Sequence, residues 1–177
     1  EGRTIDPDTG KVLQEFESGV LCFRGPNVFQ GYLNNPEKTK EVFSDDGWFI
    51  TGDLGRIDED GFLFIEGRLS RFSKIGGEMV SHESVENMVT QIISGDKNAD
   101  GEILCAITGI ADEAKGESLV LLTVVEIDLK SLGEKMRTKG VPNLWIPKQI
   151  KLVDQIPVLG TGKLDLRKIK EEVTNNP

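Results

Sequence analysis

The spacing of apolar residues changes at Arg68, and that change limits what the chain can fold into. Before it, short apolar runs are separated by turn signals such as Asp6-Pro7-Asp8-Thr9-Gly10 and Asp58-Glu59-Asp60-Gly61, where Asp, Pro and Gly favour chain reversal. Residues 1–67 therefore read as β-rich. One short helix is expected over 36–42, with Asn35 as its cap. Phe62-Leu63-Phe64-Ile65 is apolar without alternation, which predicts a strand within 61–66 buried on both faces. After Arg68, helical and strand periods interleave. Ser81 is suited to cap a helix in which Val85, Met88, Val89 and Ile92 fall at i, i+3, i+4 and i+7. Strands are expected over 103–110 and 118–127, joined by a turn-rich segment at 112–117. Asp128 caps a helix carrying Leu129, Leu132 and Met136 that stops at Gly140 and Pro142. A short strand follows at 149–153, and Asp165 caps a last helix with Leu166, Ile169 and Val173. This interleaving predicts a compact α+β module.

Bulk properties exclude several classes. The 177 residues can hold one good core or two small ones. The longest apolar stretch, Leu119 to Val125, is far too short to cross a bilayer. No basic-then-apolar leader is seen, so a cytoplasmic location is expected. Cys22 and Cys105 lie far apart and read as buried free thiols of a reducing compartment. With one histidine and no cysteine pair, no zinc or other metal site is expected. The net charge of −9 argues against general nucleic-acid binding. Charge is uneven, however: from Glu134 to Lys170 nine basic residues face three acidic ones, so this stretch carries +6 and the remainder −15. Such a basic tail suits an anionic ligand or an acidic partner, although lysines dressing solvated helices give the same count.

Within that tail, Gly160-Thr161-Gly162-Lys163 places a lysine in a glycine-flanked turn just ahead of the last helix. Glycine allows a tight turn and close approach of backbone to ligand. A lysine there offers a mobile cation with three donors for phosphate or carboxylate oxygens. Such tetrapeptides are also common as plain surface turns. Upstream lie Trp48-Phe49-Ile50-Thr51-Gly52-Asp53, then Asp60-Gly61 through Gly67-Arg68, then Lys74-Ile75-Gly76-Gly77-Glu78. Ahead of these, Gly19-Val20-Leu21 runs through Gly31-Tyr32 to Asn35-Pro36-Glu37-Lys38-Thr39 and Phe43.

In this order the blocks resemble the carboxyl-terminal third of the adenylate-forming superfamily, which includes acyl-CoA synthetases, luciferases and the adenylation domains of peptide synthetases. Arg71-Phe72-Ser73-Lys74-Ile75-Gly76-Gly77-Glu78-Met79-Val80-Ser81 looks most like the acyl-[acyl carrier protein] synthetases, including the synthetase half of the bifunctional 2-acylglycerophosphoethanolamine acyltransferases. The resemblance implies a β-rich carboxyl-terminal part of the large AMP-binding domain over 1–68, a hinge at 69–71 and a small mobile α+β domain over 72–177. It implies that Lys163 is the catalytic cation at the carboxylate and α-phosphate. Asp53 would grip the ribose hydroxyls and Arg68 would assist at the nucleotide. The pivot would be Ser70, where most relatives carry Asp or Lys. Gly76 and Gly77 would line the pantetheine tunnel, and Arg71 and Lys74 would meet an acidic carrier protein. His82 is assigned no catalysis, and Glu78 and Glu86 read as capping or surface charges.

The implied reaction is AMP-forming ligation of a fatty acid to a phosphopantetheine thiol, with ATP and Mg2+ as cofactors of the full-length enzyme. The thiol belongs to acyl carrier protein or, alternatively, to CoA. Lysophospholipid reacylation, an acyltransferase partner domain and association with the cytoplasmic face of the inner membrane follow from the same branch. The sequence opens abruptly on the charged Glu1-Gly2-Arg3, and residues 1–67 read as the end of a larger domain. No Ser/Thr/Gly-rich phosphate loop or acyl pocket is recognisable, so these residues alone are expected to be inactive and to retain no cofactor. A non-catalytic module that docks carrier protein or CoA is the competing reading.

Overall fold

The computed structural model describes residues 1–95 and 103–174. They fall into two units that divide between Ser70 and Arg71, inside the 3-10 turn Leu69–Arg71.

The first unit is an antiparallel four-stranded sheet in sequence order: β1 (Gly2–Ile5), β2 (Gly19–Phe23), β3 (Phe49–Ile57) and β4 (Leu63–Arg68). Its reversals are built as the turn residues require. Asp6 Oδ1 accepts from Thr9 N at 2.7 Å, and Gly10 closes that turn at φ 69°. Asp58 Oδ1 accepts from Phe62 N at 2.8 Å, with Gly61 at φ 81°. The helix α1 (Pro36–Val42) starts at Asn35, whose side chain accepts from Lys38 N. Val20, Leu21, Cys22, Trp48 and Leu54 form the buried part. The Trp48 ring has the Arg3 guanidinium at 4.1 Å and that of Arg24 at 4.7 Å from its centroid, both within cation–π range.

The strand expected to be buried on both faces is instead exposed on both: Phe62 is 66% and Ile65 68% accessible. The reason is position. β4 is the edge of its sheet and pairs with β3 alone, so within this unit its apolar residues have no layer to pack under.

The second unit is a five-stranded sheet with helices on both faces. β8 (Gly116–Thr123) is its centre, antiparallel to β7 (Cys105–Asp112) along its length. Its other edge takes β5 (Phe72–Ile75) at Gly116 and, in parallel, β9 (Gln149–Leu152) from Val120 onward. β6 (Glu78–Ser81) continues the sheet beyond β5. Alternation along β7 and β8 sorts side chains by face. Cys105, Ile107, Leu119 and Leu121 pack with Val85 and Val89 of α2 (His82–Ser94) and with Leu132 and Met136 of α3 (Leu129–Thr138). Ala106, Val120 and Leu122 pack with Ile169 and Val173 of α4 (Leu166–Thr174). Each Val, Leu, Ile or Met among them stabilises the unit by about 1.5–3 kcal/mol when withdrawn from water. Caps fall on the expected residues. Ser81 accepts from Ser84 N, Asp128 from Ser131 N and Asp165 from Lys168 N, each satisfying an N–H that the first helical turn leaves open. The β7–β8 turn is tighter than expected, at 113–115, because both strands run on into it.

No described helix is long and apolar enough to cross a membrane. Among the described residues, no group of three or more His, Cys, Asp or Glu side chains could hold a metal ion.

Candidate functional site

In the first unit, the β3–β4 register sets Asp53 opposite Arg68. Gly52 precedes the aspartate at φ 75° and the ladder bulges between Leu54 and Gly55, which re-aims the strand locally. Thr51 Oγ1 donates to Leu21 O and accepts from Asp53 N, both at 2.9 Å. Arg68 Nη1 donates to Asp53 Oδ1 at 2.8 Å. Asp53 Oδ2 has no hydrogen-bond partner among the described residues. The outcome is a positioned carboxylate with one oxygen held by a cation and the other available to hydroxyl donors.

In the second unit, Lys163 stands on a miniature hairpin. Val158 bridges Leu164, Leu159 N donates to Lys163 O at 2.7 Å, and Gly162 N returns to Leu159 O at 2.9 Å. Of the two glycines only Gly162 is left-handed, at φ 81°, and Lys163 follows the turn instead of sitting at its tip. Its side chain is exposed and makes no hydrogen bond or ion pair among the described residues. Asp165 N donates to Pro157 O, tying the hairpin base to the start of α4.

Gly76 and Gly77 are the two central residues of the β5–β6 hairpin, at φ 60° and 89°. Two successive positive φ values define a type I′ turn, which non-glycine side chains resist. A side chain added at Gly77 would meet nothing within 4 Å, and one at Gly76 only Leu144, so the turn presents bare backbone. Its flank is braced by Glu78, whose Oε1 accepts from Trp145 Nε1 at 3.0 Å. Lys74 is exposed on β5, and its backbone N donates to Glu117 at 2.7 Å.

Arg71 is not a free flanking charge. It is 16% exposed and forms a short ion pair through Nη2 with Glu86 of α2, itself 13% exposed. Glu86 also accepts from Ile107 N at 2.7 Å. Burial pushes the Glu86 carboxyl upward, opposed by that N–H and by Arg71. Arg71 Nη1 is buried with no partner. Arg71, Glu86 and Lys163 line one groove of about 750 Å3, together with Glu83, Cys105 and Leu164. Burial raises the Cys105 thiol to about 11, so it stays protonated.

Glu86 was not legible as a capping or surface charge because it is neither. Its spacing four residues after His82 and three before Val89 put it on the inward face, which was the signal available. His82 is buried with its Nε2 2.9 Å from Ser73 Oγ, and burial, then Arg71 and Lys170, lower it to about 4.

No family model matches the chain. The luciferin 4-monooxygenase of Photuris pensylvanica is 32% identical over 177 residues, covering 96% of this chain and 30% of that protein. The 4-coumarate–CoA ligase CCL1 of Humulus lupulus is 35% identical over 178 residues, covering 96% of this chain and 30% of that ligase. Among solved structures, ATP-bound MatB from Rhodopseudomonas palustris is 32% identical with a TM-score of 0.71, over 99% of this chain and 34% of that one. The chain thus spans about a third or less of the relatives it matches. Its homologues are the carboxyl-terminal portions of AMP-binding, adenylate-forming ligases.

Proposed function

We propose that this chain is the carboxyl-terminal part of an ATP-dependent ligase that activates a fatty acid as its acyl-adenylate and passes the acyl group to a phosphopantetheine thiol. The observation that carries this is an exposed lysine without an ion-pair partner on a backbone-pinned hairpin. A carboxylate attacking the α-phosphate builds charge on phosphate oxygens, and a positioned cation stabilises it. Asp53 Oδ2 is the acceptor offered to vicinal ribose hydroxyls, with Arg68 holding the carboxylate in place and adding charge at the nucleotide. Magnesium enters with the phosphates of ATP. The left-handed turn at Gly76 and Gly77 is the bare backbone along which a pantetheine arm passes, and Lys74 contributes charge towards an acidic partner.

The acyl acceptor in this reading is acyl carrier protein, with lysophospholipid reacylation as the fate of the product. CoA is the second reading, favoured by the CoA ligase among the relatives. Fatty-acid-dependent ATP–pyrophosphate exchange by the full-length protein tests the first half-reaction. Competition between CoA and holo carrier protein for the acyl group separates the two acceptors. Absence of exchange with any carboxylic acid would leave a docking module as the surviving alternative.

Ser70 is the pivot between the two catalytic poses, a small residue at the point where the two units divide. Ser70→Pro fixes φ there. The expected result is thioester formation slowed more than adenylation, measured as the two half-reactions on one preparation; equal rates to wild type in both would remove the hinge role.

A further inference from the structure

The groove that holds Lys163 also holds carboxylates, and this raises a question about how its ammonium stays available. Glu86 is the buried one. Glu83 also lines the groove but is exposed, where solvent screens it. A buried carboxylate stripped of its cation is costly to leave unpaired, which favours capture of another cation in reach alongside uptake of a proton. Arg71 already occupies Glu86 through Nη2, in a pair withdrawn from solvent on both sides, while Ile107 N supplies a further donor. With those contacts made, the carboxylate has little left to offer an incoming amine.

We infer that Arg71 is a positioning residue that keeps Lys163 free: by neutralising Glu86 it prevents the groove from capturing the Lys163 ammonium within its own unit. This inference rests on the adenylation role proposed for Lys163. Three observations converge on it: the Arg71–Glu86 pair, the shared groove, and a lysine beside it with no ion pair. Arg71 has no need to touch nucleotide or substrate for this. The electrostatics also explain why Arg71 sits so close to the pivot yet points inward.

The test uses the full-length enzyme with Arg71→Met, which removes the cation while keeping the stem. Glu86 then takes Lys163 as its counter-ion. If about one molecule in ten keeps a free ammonium, ATP–pyrophosphate exchange falls about tenfold, by the fraction left competent. Acyl transfer from preformed acyl-adenylate stays within about threefold, because it does not use that cation. Competitive amine labelling read by mass spectrometry shows Lys163 reacting more slowly relative to the other lysines. Arg71→Met/Glu86→Gln removes both charges and restores exchange and labelling. Equal loss of both half-reactions with unchanged Lys163 labelling, or no recovery in the double variant, overturns the inference. Arg71→Gln keeps a donor towards Glu86 and replaces the methionine variant if that one does not fold, with the same outcomes required. Lys163→Ala in parallel separates the two levels. If it leaves exchange intact, the adenylation role fails, while the labelling still reports whether Arg71 guards the amine.

Discussion

With the role proposed for Lys163, Lys163→Ala in the full-length protein is expected to lower ATP–pyrophosphate exchange by about 100- to 1,000-fold, the range seen when one pre-positioned electrostatic donor is removed from a transition state. The loss is selective. Thioester formation from supplied acyl-adenylate needs no new charge at the α-phosphate, so it changes by about threefold at most. Selectivity follows from the hairpin. Its backbone bonds, Leu159 N to Lys163 O and Gly162 N to Leu159 O, involve no lysine side-chain atom, and the side chain supports no packing because it is exposed. Truncation at the β-carbon therefore leaves the local fold as it is, and the thermal midpoint should match wild type. Half-reactions assayed on one preparation decide the matter. Parallel loss of both, or a lowered midpoint, would assign Lys163 to structure. Arginine is not expected to rescue, since a planar fork does not replace a compact ammonium at this position.

Much of the fold was legible because it obeys local rules. Asn35, Ser81, Asp128 and Asp165 cap the helices that follow them, and each does so through a side-chain oxygen within hydrogen-bond reach. The stripe Val85, Met88, Val89 and Ile92 packs inward. What failed was inference from continuous apolarity. Phe62 to Ile65 and Leu119 to Leu122 look alike in sequence, yet the first lies exposed on a sheet edge and the second is central and buried on both faces. Periodicity reports which residues are apolar; whether a layer covers them depends on partners distant in the chain.

The candidate site divides in the same way. Asp53 and Arg68 lie fifteen residues apart and meet across one strand pair, so a hairpin reading brings them together. Gly76 and Gly77 are a two-residue hairpin whose conformation glycine dictates. Arg71 and Glu86 could not be paired from sequence, because neither faces solvent and their contact depends on how α2 lies against the sheet. Nor could Trp145 and Glu78, which are separated by 67 positions. Charges near a boundary between units read naturally as surface charges until burial is known.

His82 gives the second large expected effect, on stability against pH. Its folded value of about 4 lies below the usual 6.5, with burial as the leading cause and Arg71 and Lys170 adding repulsion. Between those two values the unfolded chain binds a proton there and the folded chain does not, so stability falls as pH falls. The contribution is complete above about pH 6.5, declines from there towards pH 4, and is gone below it. A separation of about 2.5 pK units corresponds to about 3 kcal/mol, a substantial share of a domain's typical margin. The neutral ring keeps its hydrogen bond to Ser73, whereas a proton would bring an uncompensated charge beside Arg71. Chemical denaturation of the full chain at intervals from pH 4 to 7.5 measures the slope. Replacing His82 with glutamine removes the titrating group, so the variant is less stable at pH 7 but loses less on acidification. An identical pH slope in the two proteins would assign the acid sensitivity to other groups and remove His82 as its source.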